Sequence, residues 1–135
     1  MSNKKVGLVL EGGGMRGIYT VGVLDLLLDY QIQTDYVIGV SAGACHGVSY
    51  VSNQRGRSFK VNTEYLDDAR YLSFKNYLKT KSIFGMDFIF DEIPNKLDLF
   101  DYDQFLSSKS EFVTGVTDVQ TGKPVYFGKE HLNKD

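Results

Sequence analysis

Two segments carry residue types whose spacing suits chemistry: Gly12-Gly13-Gly14-Met15-Arg16-Gly17 and Gly39-Val40-Ser41-Ala42-Gly43. A serine between glycines, on a sharp turn from strand to helix, has the placement of an acyl-transfer nucleophile. The glycines let the backbone turn without side-chain clash, so the Ser41 hydroxyl projects into a cleft. Bare backbone N–H groups at a helix N-terminus, as Gly12, Gly13 and Gly14 offer, bind an anion: either a phosphate or a transition-state oxyanion. Each segment alone is weak, because glycine and serine are common in turns. As a pair they read as an oxyanion cradle facing a nucleophile.

Both segments need strands to hold them at one place. Val6–Leu10 is a continuous apolar run, which predicts a strand buried on both faces. Ile18–Tyr30 predicts a helix, with Gly22, Asp25 and Asp29 polar and Val21, Val23, Leu24, Leu26, Leu27 and Leu28 forming a wide buried surface. Tyr36–Val40 is a second strand, and Ala42 to about Ser52 a second helix, stopped before an Arg55-Gly56-Arg57 loop. This alternation is that of a parallel sheet, and it brings both glycine turns to the edge outside the strand carboxyl ends.

The middle of the chain is less regular. Short helices are expected over Tyr65–Tyr71 and Ser73–Leu78, then one over Ile83–Ile93 ending before Pro94. Asp101 is placed to cap a helix running to Leu106, and strands Glu111–Thr117 and Lys123–Phe127 are joined by a Gln120-Thr121-Gly122 hairpin. The aromatic residues Tyr71, Phe74, Tyr77, Phe84, Phe88 and Phe90 suit core packing, an acyl channel or contact with a membrane surface.

Composition narrows the classes. With 135 residues, 42% hydrophobic and 24% charged, the chain reads as one domain or part of one, and no internal boundary stands out within residues 1–135. A net charge of −2 argues against nucleic acid as a partner, and Arg55, Arg57 and Lys60 read as a solvated loop sooner than as a contact for an anionic headgroup. No run approaches the roughly twenty apolar residues of a membrane span. With the single Cys45 this predicts a cytoplasmic protein whose lipid contact is peripheral.

Two rival sites lose ground on spacing. Gly12, Gly14 and Gly17 fit a dinucleotide-binding glycine pattern, but that pattern needs an acidic residue at the end of the second strand, where Ser41 follows instead. The order Ser41, Asp118, His131 mimics an α/β-hydrolase triad, yet those folds place the elbow after several strands, not the second. His131 lies near the chain end among Lys129 and Glu130. His46 follows Ser41 by five residues, about 500° round the helix, which turns it away from the serine and toward a packing or surface role.

The double motif closely resembles the opening of the patatin-like phospholipase family, and the likeness continues through Arg55-Gly56-Arg57, the aromatic segment Phe84–Glu92 and Thr117-Asp118-Val119-Gln120-Thr121-Gly122. The resemblance implies a three-layer α/β/α sandwich with a mainly parallel central sheet. It implies a serine acyl hydrolase acting on lipid esters through a Ser-Asp dyad, with no metal or organic cofactor. Carried over, Ser41 is the nucleophile and Gly12, Gly13 and Gly14 form the oxyanion hole. Met15, Arg16, Gly17, Gly39 and Gly43 support the motifs. Arg16 either orders the loop as a hydrogen-bond donor or approaches a lipid phosphate.

One departure matters. The family's aspartate sits in an Asp-Gly motif, and this sequence contains no Asp-Gly pair. Asp118 matches a different family position, beside a strand end, where a turn-forming role suits it. The expectation is an N-terminal part of a longer hydrolase domain, prone to self-association through surface left uncovered. The alternative is a catalytically inactive lipid-binding or interaction module.

Overall fold

A computed structural model describes residues 4–132. They fall into two compact units, one made of the chain up to Ser58 and from Asp101 onward, the other of Phe59–Phe100.

The first unit is an α/β assembly on a four-stranded, mainly parallel sheet. Strands β1 (Gly7–Leu10), β2 (Tyr36–Val40), β3 (Glu111–Thr117) and β4 (Pro124–Gly128) lie in that spatial order. β1 and β2 are parallel, as are β2 and β3, while β4 returns antiparallel through the predicted hairpin. Register aligns Leu8 with Val37 and Phe112, and Leu10 with Gly39 and Thr114, so one face carries Leu10, Val37 and Phe112 into the core. Helix α2 (Ala42–Val51) lies on that face. A Cβ on Gly47 would stand 2.8 Å from Phe112, 3.1 Å from Leu10 and 3.4 Å from Val37, so the helix backbone approaches the sheet closely there. Phe105 of α5 (Tyr102–Ser107) closes the same core edge-on against Phe112, their ring centroids 5.6 Å apart. Asp101 caps α5 as expected, accepting from Gln104 N at 2.8 Å.

Two burial expectations need correction. β1 is not buried on both faces: Leu10 is in the core, but Val9 points the other way and is 79% exposed. Side chains alternate across a strand, so an apolar run has two covered faces only where a second layer meets it. Helix α1 (Ile18–Asp29) buries only Val21, Leu24 and Leu28, one stripe at spacings of three and four, while Val23 and Leu26 are exposed.

Helix α3 (Arg57–Thr63) leads into the second unit, whose core gathers Tyr71, Phe88 and Ile93 with Val61, Tyr65 and Ile89. Tyr65–Tyr71 is not helical. Asp68 bonds back to Arg70 N at 2.8 Å and to its guanidinium, and such local bonds compete with a helix ladder. The helix expected to stop before Pro94 instead spans Phe88–Leu97 in π geometry with Pro94 inside. A π turn is wider than an α turn, so the proline ring fits where an α-helix would clash, and Asp98 N closes the end on Ile93 O at 2.8 Å. α4 (Phe74–Thr80) forms where expected, capped by Ser73.

Candidate active site

β2 ends at Val40 and α2 starts at Ala42, so the chain reverses on Ser41 alone, at φ 53° and ψ −125°. A non-glycine residue holds such a conformation at about 1–3 kcal/mol of strain, and only where its surroundings fix it. Here glycines do so. A Cβ on Gly39 would lie 2.6 Å from Ala44 N, and one on Gly43 would lie 2.6 Å from Glu11 O and overlap Leu10 O. Gly43 thus seats the start of α2 against the end of β1. Ser41 is exposed, and its hydroxyl has no hydrogen-bond partner among the described residues. The first turn of α2 carries no acidic side chain, so its positive end is uncompensated beside the serine.

The in-register pairing of Leu10 with Gly39 delivers the first glycine segment to the same sheet edge. A Cβ on Gly12 would stand 3.2 Å from Ser41 Cβ, 3.4 Å from Val40 O and 3.9 Å from Ser41 Oγ. The missing side chain lets the backbone pass close to the serine without displacing it. Gly14, at φ 53°, opens a 3-10 turn to Gly17 that is closed by Arg16 N donating to Gly13 O at 3.1 Å. The first amides of a helical turn have no partner within it, which leaves those of Gly13 and Gly14 available for an anion. Met15 and Arg16 are exposed. The Arg16 guanidinium bonds no described residue, so backbone bonds, not this side chain, order the loop.

Gly17 ties this cradle to the elbow helix. A Cβ there would lie 2.5 Å from His46 Nε2 and 3.3 Å from Ala42 Cβ. His46 is 1% exposed, lines a small pocket with Val21, Leu24, Asp25 and Ser49, and has no partner on either ring nitrogen. Of the packing and surface roles left open by its helical position, burial selects packing. The sequence offered no sign of its contact with Gly17, except that Gly17 itself is a glycine where two helices begin. Burial holds the His46 pKa below the ordinary histidine value of 6.5. Above that value both folded and unfolded chains carry a neutral ring; below it the unfolded chain takes up the proton first. Stability is therefore expected to fall as pH drops through 6.5, by up to about 1.4 kcal/mol per pH unit for one proton. His46→Gln should flatten that decline in urea melts compared at pH 7.5 and 5.5.

The other candidate bases are placed elsewhere or are occupied. Asp118 sits past β3 at the serine's edge of the sheet, but one oxygen accepts from Gln120 N and the other from Thr121 Oγ1, each at 2.8 Å. These bonds hold its pKa below the usual carboxylate value, which suits a turn and weakens a base. β4 runs antiparallel, so His131, just beyond it, lies at the opposite edge of the sheet, at the level of Tyr36 and about 15 Å from the serine's edge at the rise of a strand. It pairs with Glu130 at 3.1 Å.

Arg55 is exposed in a turn as expected, whereas Arg57 and Lys60 lie on α3, and all three are tied to neighbouring side chains. Arg55 grips Asp29 with two bonds of 2.6 and 3.0 Å, Gly56 N donates to Asp25, and Arg57 opens α3 and reaches Ser49 Oγ at 3.4 Å. Lys60 pairs with Asp98 at 2.9 Å. Two carboxylates four apart on α1, followed by Arg-Gly-Arg, were the sequence signal for this clasp.

The model of a family described as patatin-like phospholipase matches residues 8–128. The uncharacterized protein YjjU of Escherichia coli K12 is 30% identical over 96 residues, which are 70% of this chain and 27% of that protein. Lysophospholipase NTE1 of Lodderomyces elongisporus is 36% identical over 93 residues, 65% of this chain and 6% of that protein. The same-named protein of Scheffersomyces stipitis is 34% identical with the same coverage. The chain thus spans about a quarter of the bacterial relative and a small fraction of the fungal ones.

Proposed function

Since the chain belongs to the patatin-like phospholipase family, a family of lipid hydrolases, we propose that it supplies the nucleophile and the oxyanion-binding half of a serine acyl hydrolase acting on lipid esters. The observation that carries this reading is the strained Ser41, held at φ 53° by glycines with the Gly12 backbone drawn up against it. Ser41 Oγ attacks the ester carbonyl carbon and loses its proton to a base. The carbonyl oxygen becomes the oxyanion and accepts from the amides of the Gly12–Gly14 segment while the lipid alcohol departs, protonated by that same base. Water then hydrolyses the acyl-enzyme, with the base taking the water's proton and returning it to Ser41 Oγ.

The base is the open part. No carboxylate hydrogen-bonds Ser41 among the described residues, and Asp118 is held in its turn. We assign the base to an aspartate outside these 135 residues. That same observation favours a second reading, an inactive lipid-binding module that keeps the cradle without turnover. In either reading the ligand is a lipid ester met at a membrane surface in the cytoplasm.

A fluorophosphonate probe tests the proposal on this chain, on Ser41→Ala and on a longer polypeptide continuing past Asp135, alongside hydrolysis of a p-nitrophenyl ester. Ser41-dependent labelling with turnover in the longer chain supports the hydrolase. Labelling that survives Ser41→Ala, or a longer chain without turnover, refutes it, the latter in favour of the binding module.

A further inference from the structure

In the second unit, the segment from Ser73 to Met86 around α4 contains no buried side chain. Phe74, Tyr77, Leu78, Ile83, Phe84 and Met86 all stand in solvent, Phe74 71% and Leu78 62% exposed. Six large apolar groups in fourteen residues are costly to leave in water unless something covers them.

This display is not a frayed loop. Ser73 Oγ accepts from Asn76 N at 3.2 Å, and the Asn76 side chain donates to the carbonyls of Arg70 and Ile83 at 3.1 and 3.3 Å. Ser73 N donates to Ile83 O and Gly85 N to Tyr71 O, at 3.1 and 3.0 Å, closing both ends. Any Cβ on Gly85 would overlap Arg70 O, so only glycine permits that closure. The backbone is fastened while its apolar side chains face outward.

The charges in the segment say what covers them. Between Ser73 and Met86 the only ionised side chains are Lys75, Lys79 and Lys81, in a chain whose net charge is −2. All three are exposed and, among the described residues, none has an ion-pair partner. Lys81 Nζ lies 5.9 Å from the centroid of the Tyr77 ring, so cation and aromatic share one patch. Long lysine stems lie along apolar surface while their ammonium groups stay in the headgroup layer. Aromatic and leucine side chains alongside unpaired lysines fit an interface that is hydrocarbon below and anionic above.

We propose that Phe74–Met86 docks the protein on the surface of an anionic phospholipid bilayer. The purpose of such docking rests on the lipid-ester reading of the Ser41 site, but its test does not. The chain has no tryptophan, so Phe74→Trp gives a probe without background. Its emission is expected to shift to the blue, and the protein to sediment, with vesicles containing phosphatidylglycerol but not with pure phosphatidylcholine, and less so as salt rises.

Each lysine near such a surface is worth about fivefold in partitioning, so Lys75→Gln, Lys79→Gln and Lys81→Gln together should weaken binding by about 100-fold with an unchanged circular dichroism spectrum. Leu78→Ser should weaken it as well. Equal binding to both vesicle types, absence of binding, or indifference to these substitutions overturns the proposal. So does a dimer in light scattering that Leu78→Ser dissolves, which would assign the patch to a second copy of the chain. Ser41→Ala should bind vesicles like the parent, so loss of docking and loss of acyl transfer are read separately.

Discussion

Gly43→Ala is expected to lower the melting temperature of the sheet-bearing unit by about 15 °C or more, or to abolish its cooperative transition. The added methyl would overlap Leu10 O and stand 2.6 Å from Glu11 O, and both acceptors are backbone at the end of β1. A flexible side chain could swing aside, but a strand carbonyl moves only with the strand. Relief would require shifting β1 against β2, which share register from Gly7–Tyr36 to Leu10–Gly39, or lifting α2 off Leu10, Val37 and Phe112. Overpacking of this kind costs about 1–3 kcal/mol where neighbours can yield, and more where they cannot. Against a total stability of about 5–15 kcal/mol, and about 4–8 °C per kcal/mol for a unit of this size, the loss is large.

Gly14→Ala is the contrast: its Cβ meets open space, and only the positive φ resists it, at about 1 kcal/mol. Thermal melts of the two variants by circular dichroism separate the causes. A Gly43→Ala protein that melts within a few degrees of the parent would mean that α2 does not approach β1 as closely as described.

That contrast also marks what the sequence could and could not convey. Both glycine turns, the strand before each and the helix after each were legible because they are local: an apolar run, then glycines, then a helical period. Tyr36–Val40 was read with its observed limits for this reason, and the turn at Asp118 because Asx bonding involves neighbours only. Which glycine fears which atom was not legible. Gly43 needs its space because of Leu10 and Glu11, more than thirty residues earlier, and Gly17 because of His46. Burial failed similarly: Val9 and Leu26 are as apolar as Leu10 and Leu24, and only the packing of layers decides which of them is covered. Pro94 misled because the usual rule for a proline assumes an α-helix, and a π turn relaxes it.

Gly12→Ala should leave the fold standing and take most of the chemistry with it. Its Cβ would lie 3.2 Å from Ser41 Cβ and 3.4 Å from Val40 O, tight but not overlapping, at the exposed edge of the sheet where the loop can retreat by a few tenths of an ångström. The melting temperature is therefore expected to change by only a few degrees. Retreat moves the amides of Gly13 and Gly14 away from the serine, however, and an oxyanion donor acts over a narrow range of about 2.7–3.1 Å. Losing one such donor costs about 10²–10³ in turnover, so Ser41-dependent hydrolysis, measured in the longer chain, should fall by about that factor. Fluorophosphonate labelling should slow in parallel, because the phosphonyl oxygen uses the same cradle. A Gly12→Ala enzyme with parental turnover would remove the cradle from the mechanism, while one that fails to melt cooperatively would move Gly12 from chemistry to folding.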